Sequence, residues 1–494
     1  MKKIGLTWLQ DNYNINGFKL TSESYIGLSD KTEISSTNTV HRTFRSMYDV
    51  QNENPIAHIE FALKYDDLNL ALLKEVFSSM KNKAISSYIN ENPNRKYSRI
   101  IGFLFEFITG NTIESEVTDT NYIDVLESKN YYTGDSIKVT KWKVNNNLLG
   151  TKNYCPVIRK TTELNEALNW DIEEALENLK HEYTPEIFNR ASYYLYKKES
   201  KSSSEIEKEQ PTQDRIDKFI ALLEEAGKKP IEETLSEGEL VKTQNTIVDP
   251  RYADKGFRNF QNYVGQTMRD YSQKIHYVCP PPQFVESLMN GLVELHKKNT
   301  SSKTIIKATA ISFGFVYIHP FEDGNGRIHR FLIHDIFVRD GIVPNGTIMP
   351  VSAQILANMD KYDSILELVS NAIARKAKYT VNEKWEMTVQ NANEIESLYR
   401  FPDLTSHAVF LAKSIQSTIE SDIPEELKFL KYYDELKVQI QSIVDMPNNR
   451  IDRMILFLHQ NNGMLATRKR KFYTELSDGE IKQMEEAYKN VFAQ

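Results

Sequence analysis

The stretch KTIIKATAISFGFVYIHPFEDGNGRIHRFLIHDIFV, residues 303 to 338, decides the reading of this chain. Ile305, Ile306, Thr309, Phe313, Val316 and Tyr317 fall near one helical stripe, which predicts a helix over 303–318. The aromatic cluster Phe313, Phe315 and Tyr317 reads as core. Pro320 forbids simple continuation of that helix, and Gly324, Asn325 and Gly326 supply a short, permissive turn. An apolar-periodic segment restarts at once at Arg327, so the turn sits at a helix N-terminus. Free backbone N–H groups and the positive end of the macrodipole make such a turn an anion site. Arg327 and Arg330 lie on adjoining turns of one helix face, where both reach a single polyphosphate. Asp323 stands where a carboxylate holds Mg²⁺ against phosphate oxygens, and His319 stands as a general base beside the same pocket. A base, a metal carboxylate, an amide nest and two guanidiniums within twelve residues fit nucleotide chemistry better than an ordinary capped turn.

Outward from this stretch the text is mostly helical. Residues 1–50 are rich in Thr, Ser, Asn and Gly and read as loops with short strands. Two helices follow between His58 and Met80, broken at Asp66 and Asp67, then one over 97–109 that stops at Gly110 and Asn111. Residues 136–144 alternate as a strand does, and 164–198 read as helical. KKESKSSSEIEKEQPTQDR, residues 197 to 215, has almost no apolar residue and on composition alone is a solvated linker. Helices resume at Arg215 and over 284–297, and the chain beyond Pro350 is almost wholly helix-like, punctuated at Pro402, Pro424, Pro447 and Gly463. No repeat of fixed period is present.

The chain has 494 residues, which predicts about two to four domains. Its formal net charge of −7 provides no global basic field for nucleic acid. Two cysteines, Cys155 and Cys279, fit a reducing compartment. No apolar run approaches the ~20 residues that span a bilayer, and the N-terminus lacks an apolar signal core. The expectation is a soluble, cytoplasmic protein without membrane contact.

His319–Arg330 resembles the motif of the Fic (filamentation induced by cAMP) family, HPFx[DE]GNGRxxR, at every specified position. The likeness extends to GFRNFQNYVG, residues 256 to 265, which resembles the family's flap, and to YVCPPP, residues 277 to 282, which resembles the proline-rich turn after it. The resemblance implies Mg²⁺-dependent transfer of AMP from ATP to a Tyr, Thr or Ser hydroxyl of a target protein or of the chain itself. It implies His319 as base, Asp323 as metal ligand and the amides of Gly324, Asn325 and Gly326 as anion hole, with the Asn325 side chain also on phosphate. Arg327 is implied for the β-phosphate, Arg330 for the γ-phosphate, Tyr362 near base or ribose, and Phe321 as the residue that sets the loop. The flap, through Gly256, Phe257, Arg258, Gln261, Val264 and Gly265, is implied to pin the target by strand-like backbone pairing.

The resemblance also changes the reading of the charge run. Many Fic proteins carry an inhibitory motif [ST]xxxE[GN], and Ser203-Ser204-Glu205-Ile206-Glu207 fits its first five positions, with Lys208 at the sixth. Glu207 would then pair with Arg330 in place of the γ-phosphate. The fold expected is mainly α, a Fic core with a small β-hairpin flap. The divisions expected are 1–197 (helices and some strands), 198–212 (inhibitory helix or linker), 213–400 (Fic core) and 401–494 (helical). Alternatives are removal of AMP at the same site, and a nucleotide-sensing regulator whose Arg468–Lys471 segment resembles part of a winged helix that binds DNA. A solvated basic turn outweighs that second alternative, and a homodimer is left open. His329 and His334 read as packed histidines rather than zinc ligands, and Cys279 as a structural thiol.

Overall fold

The computed structural model describes residues 1–35, 39–50, 54–269, 273–343 and 347–492. Its organising element is the helix Thr304–Ile318, hereafter the central helix, which is largely apolar all round and therefore largely buried, its one charged residue, Lys307, being paired with Asp340. Two of its hydroxyls are satisfied within the helix: Thr309 Oγ1 donates to Ile305 O at 2.8 Å and Ser312 Oγ to Ala308 O at 2.6 Å. The helix Asn325–Arg339, the arginine helix, packs along it, and His329 sets its ring edge-on to Phe313 at 4.7 Å. Helices Pro282–Lys297 and Thr405–Ser417 complete the central layer.

The last of these lies beyond the division expected at 400/401 yet belongs to the same core. His407 meets the Tyr317 hydroxyl at 2.6 Å, and Leu411, Ala412 and Ile415 are buried in the same core as the central helix. Pro402 ends a helix without ending the core. A second, smaller core begins at Leu436 and runs to Val491, and the helix Ile423–Ile443 contributes to both.

The division expected at 197/198 falls inside one continuous helix, Pro185–Ile206, hereafter the covering helix. The solvated linker read from composition is thus a correction: Glu199, Ser200, Ser202, Ser203 and Ser204 are buried. Serines are small enough to let this helix lie close to its neighbours, and Ser204 Oγ donates to Ser200 O at 3.1 Å. Glu199 accepts from Ser352 N at 2.9 Å. Arg190 and Lys198 pair with Asp434 at 2.6 Å and Asp422 at 3.0 Å, fastening the covering helix to the C-terminal helices.

The N-terminal region holds more order than its composition suggests. Four strands, Lys2–Ile4, Ser22–Gly27, Lys31–Ile34 and Val40–Arg45, form one sheet, in which Ser22–Gly27 pairs in parallel with Val40–Arg45 and the other pairs are antiparallel. The helix Gly5–Asn12 follows the first strand. Asp66, at the expected helix break, accepts from Leu6 N at 2.7 Å and Ser24 Oγ at 2.5 Å, tying helix pair to sheet. The strand expected over 136–144 is two short antiparallel strands, Ile137–Val139 and Val144–Asn146. Among the described residues no helix is long and apolar enough to cross a membrane.

Candidate active site

The central helix ends in a left-handed residue, His319, with φ 51° and ψ 58°. Its last carbonyls need donors, and Arg258 supplies them. Arg258 Nε donates to His319 O at 2.7 Å, and its Nη2 to Ile318 O at 3.2 Å and Pro280 O at 2.7 Å. Its Nη1 donates to Phe260 O at 2.9 Å. Arg258, expected on the target-binding face, is instead a buried clamp on the helix end. The demand for it comes from four carbonyl oxygens that no helix bond reaches.

His319 is half-buried, and its Nδ1–H donates to Val316 O at 3.1 Å. A carbonyl only accepts, so the proton of the neutral ring sits on Nδ1 and Nε2 keeps its lone pair. Burial first, with the nearby Arg258 charge, lowers its pKa to about 4 against the opposing pull of the Val316 bond, Glu207 and Asp323. The ring is therefore neutral at pH 7.

The loop that follows is rigid. Phe321 is fully buried and meets Phe257 edge-on at 5.7 Å. Asn325 Oδ1 accepts from Phe321 N at 3.1 Å while its Nδ2 donates to Phe321 O at 2.9 Å. The Asn325 side chain expected on phosphate is thus spent on the loop, which corrects that assignment. Gly324 takes φ 87°, a conformation open to glycine, and starts the arginine helix. The first intrahelical bond is Ile328 N to Gly324 O at 3.0 Å, so the N–H groups of Asn325, Gly326 and Arg327 precede it. Asp323 accepts from Gly324 N at 2.5 Å and from Arg327 Nη2 at 3.1 and 3.2 Å.

Both motif arginines are buried, Arg327 at 2% and Arg330 at 1% exposure. Arg330 Nε donates to Ser203 Oγ at 2.7 Å, and its Nη2 to Ser203 O at 2.7 Å and Glu207 Oε1 at 2.9 Å. Glu207 Oε1 lies 2.0 Å from where a Cβ on Gly326 would stand, so the carboxylate rests on the N-terminal backbone of the arginine helix. Gly326 is the residue that permits this approach.

The covering helix ends just there. Lys208 N donates to Glu205 O at 2.9 Å and Glu209 N to Ser204 O at 3.0 Å, and Lys208 takes φ 58°. This is the bonding of a Schellman cap, whose left-handed position favours Gly or Asn. The sixth position of the sequence motif is therefore a backbone requirement, and Lys208 meets it under strain.

Glu209 is a residue that sequence reasoning missed. Its two oxygens take Arg327 Nη1 at 3.0 Å and Nη2 at 3.2 Å, and Arg215 Nη2 donates to it at 2.8 Å. The only signal was its place in the charge run, two residues beyond Glu207. Tyr362 lies behind Arg330 with its ring near those of His329, Phe313 and Phe410 at 6.3, 6.5 and 5.8 Å. It is buried, and burial raises its pKa well above the ordinary tyrosine value.

The flap is a hairpin of Tyr263–Thr267 and Gln273–Val278, antiparallel, with an irregularity between Val264 and Gly265. Val264 is 40% exposed on it, and the backbone of Gly265 stands against the Tyr263 ring. Phe257 N donates to Glu237 Oε1 at 2.7 Å, Gly256 lies against the same carboxylate, and Gln261 Nε2 donates to Cys279 O at 2.7 Å. These three anchor the hairpin's base, leaving Val264 and Gly265 on its outer strand. Cys279 is fully buried and its thiol is pushed up to about 12. His329 and His334 are buried in the core, and among the described residues no three His, Cys, Asp or Glu gather as a metal cage. Arg468–Lys471 lies in a short 3₁₀ helix, Thr467–Phe472, with Lys469 over the Phe457 ring at 4.2 Å. No strand follows it among the described residues, so a wing is absent there.

Residues 234–337 match the model of the Fic/DOC family. The chain is 32% identical over 89 residues to the Aquifex aeolicus (strain VF5) protein named "Probable protein adenylyltransferase", covering 18% of this chain and 27% of that one. It is 40% identical over 70 residues to the "Protein adenylyltransferase Fic" of Nematostella vectensis, covering 14% of this chain and 16% of the other. It thus spans about a quarter or less of the length of these two relatives. The crystal structure of a Fic family protein from Desulfovibrio desulfuricans G20 aligns with a TM-score of 0.39 and 17% identity, over 61% of this chain and 87% of that one.

Proposed function

We propose that this chain, which carries a Fic/DOC-family domain over residues 234–337, is a protein adenylyltransferase held closed by Glu207. The observation that carries the reading is the neutral His319 ring, its Nδ1–H held by Val316 O, beside a helix N-terminus flanked by two buried arginines. The hydroxyl oxygen of a target residue forms a bond to the α-phosphorus of ATP, the bridge between the α- and β-phosphates breaks, and pyrophosphate leaves. The hydroxyl proton passes to His319 Nε2. Arg327 and Arg330 hold the β- and γ-phosphates once the carboxylates now on them are displaced. The N–H groups of Asn325, Gly326 and Arg327 face the negative charge that grows in the transition state. The exposed strand Tyr263–Thr267 lays out the target segment by backbone pairing.

Asp323 fits Mg²⁺ of the kind that arrives with a nucleotide: one half-exposed carboxylate, completed by phosphate oxygens and water. Such an ion neutralises phosphate charge, and Asp323 must first release Arg327. Removal of AMP from a modified protein would use the same groups with Glu207, which rests on Gly326, orienting water. Loss of that hydrolysis in Glu207→Gly together with gained transfer separates the two directions.

The test is intact mass of the Glu207→Gly protein after incubation with ATP and Mg²⁺, alone and with cell extract proteins. A gain of one AMP is expected, and His319→Ala in the same background lowers the rate on the order of 10²–10⁴ while ATP still binds. Transfer retained by the His319→Ala variant refutes the mechanism.

A further inference from the structure

We propose that Glu209 is a second gate on the nucleotide site, one that competes with the phosphates of the incoming nucleotide for Arg327. It holds Arg327 as Glu207 holds Arg330, so a phosphate reaches either arginine only by displacing the carboxylate on it. This rests on the proposed function in taking Arg327 and Arg330 as the phosphate arginines.

Arg327 is almost wholly buried, and Glu209 takes both of its terminal nitrogens, at 3.0 and 3.2 Å. Its other partners are Asp323 and Ile247 O at 2.8 Å. A guanidinium at that depth needs a facing anion, because leaving a buried charge unpaired is strongly unfavourable. Once Asp323 releases Arg327 to hold Mg²⁺, as the proposed function requires, either Glu209 or a phosphate must face it. Glu209 keeps 28% side-chain exposure, so solvent can reach it and it can be exchanged.

The backbone explains why both carboxylates reach one helix. Residues two apart on a regular helix point to different faces. Here Lys208, between them, takes φ 58°, and the reversal turns Glu207 and Glu209 toward the same arginine helix. Glu209 is further fixed by Arg215, whose Nη2 also donates to Ile247 O at 3.0 Å, the carbonyl that Arg327 uses. Glu209, Arg215, Ile247 O and Arg327 thus close a ring of hydrogen bonds, while Glu207 and Arg330 stand against Gly326. AMP, with no β- or γ-phosphate, reaches neither arginine and does not compete with Glu209.

The experiment titrates ATP, as the α,β-methylene analogue that cannot give up AMP, and AMP, each with Mg²⁺, into the full chain carrying Glu207→Gly alone and Glu207→Gly with Glu209→Gln. Circular dichroism confirms the fold of each. ATP affinity is expected to rise at least tenfold from the single to the double variant, and AMP affinity to change less than twofold. Glu209→Asp in the Glu207→Gly background keeps the charge on a shorter reach and falls between. Equal ATP affinity in the single and double variants, weaker ATP binding in the double, or an equal gain for AMP each overturns the proposal. Binding is read without any transfer: the expected ratios in a protein that moves no AMP leave this inference standing and remove the proposed reaction.

Discussion

Ser203→Ala is the sharpest single test of how the site is kept shut. Ser203 Oγ accepts a 2.7 Å bond from Arg330 Nε, and Arg330 has 1% exposure, so no water replaces the lost oxygen. The backbone bond from Arg330 Nη2 to Ser203 O and the Glu207 pair remain, so one contact is removed. A hydrogen bond to a charged group contributes about 1.5–3 kcal/mol, and the closed form should weaken by about that amount. Relative to the ATP-bound form this is about 10- to 150-fold. Calorimetric titration with ATP should show apparent affinity rising toward that range, and the melting temperature without nucleotide should fall. Ser204→Ala is the control, since Ser204 Oγ bonds only its own helix at Ser200 O. Ser203→Ala with the ATP affinity of the parent, or Ser204→Ala with the same gain, refutes the reasoning.

Three further outcomes are expected. Lys208→Gly relieves a left-handed lysine that costs about 1–2 kcal/mol, partly offset by about 0.5–1 kcal/mol of added chain entropy; melting temperature should rise and autolabelling fall two- to fivefold, whereas increased labelling contradicts the cap assignment. Burial raises the pKa of Glu199 to about 7 from its ordinary 4.5, so the folded state binds more protons than the unfolded state between those values, and stability falls as pH rises through that window. Melting curves from pH 4.5 to 7.5 should be flatter for Glu199→Gln than for the parent, and parallel curves count against it. Arg258→Met leaves four carbonyls without their donor, which should destabilise the protein by about 3–5 kcal/mol in urea unfolding; a loss below about 1 kcal/mol removes Arg258 as the clamp.

The site was legible because its loop is constrained residue by residue. Pro320 and Gly324 dictate backbone breaks, and an all-apolar run before them dictates burial, so the helix–turn–helix follows from local rules. The roles of side chains that point inward were not legible. Arg258 is needed by carbonyls belonging to three separate segments, and Asn325 is taken up by Phe321, which only the folded loop reveals. The charge run misled because serine tolerates both solvent and close packing, and only the tertiary fold decides between them. Glu209 carries no pattern of its own; the turn at Lys208 gives it a partner. In the N-terminal sheet, pairing of Ser22–Gly27 with Val40–Arg45 joins segments of mixed polarity, where period-two patterning is weak.

The covering helix has 22 residues, about 33 Å of stiff rod, with Glu207 at its tip. Its far end is moored at Arg190 to Asp434, on the helix that bridges the two cores. A rod of that length is a lever: a pivot of about 4° at the mooring sweeps the tip through about 2 Å, the scale on which a 2.9 Å ion pair is made or lost. Torque on the C-terminal unit is thereby geared to the pocket at the N-terminus of the arginine helix.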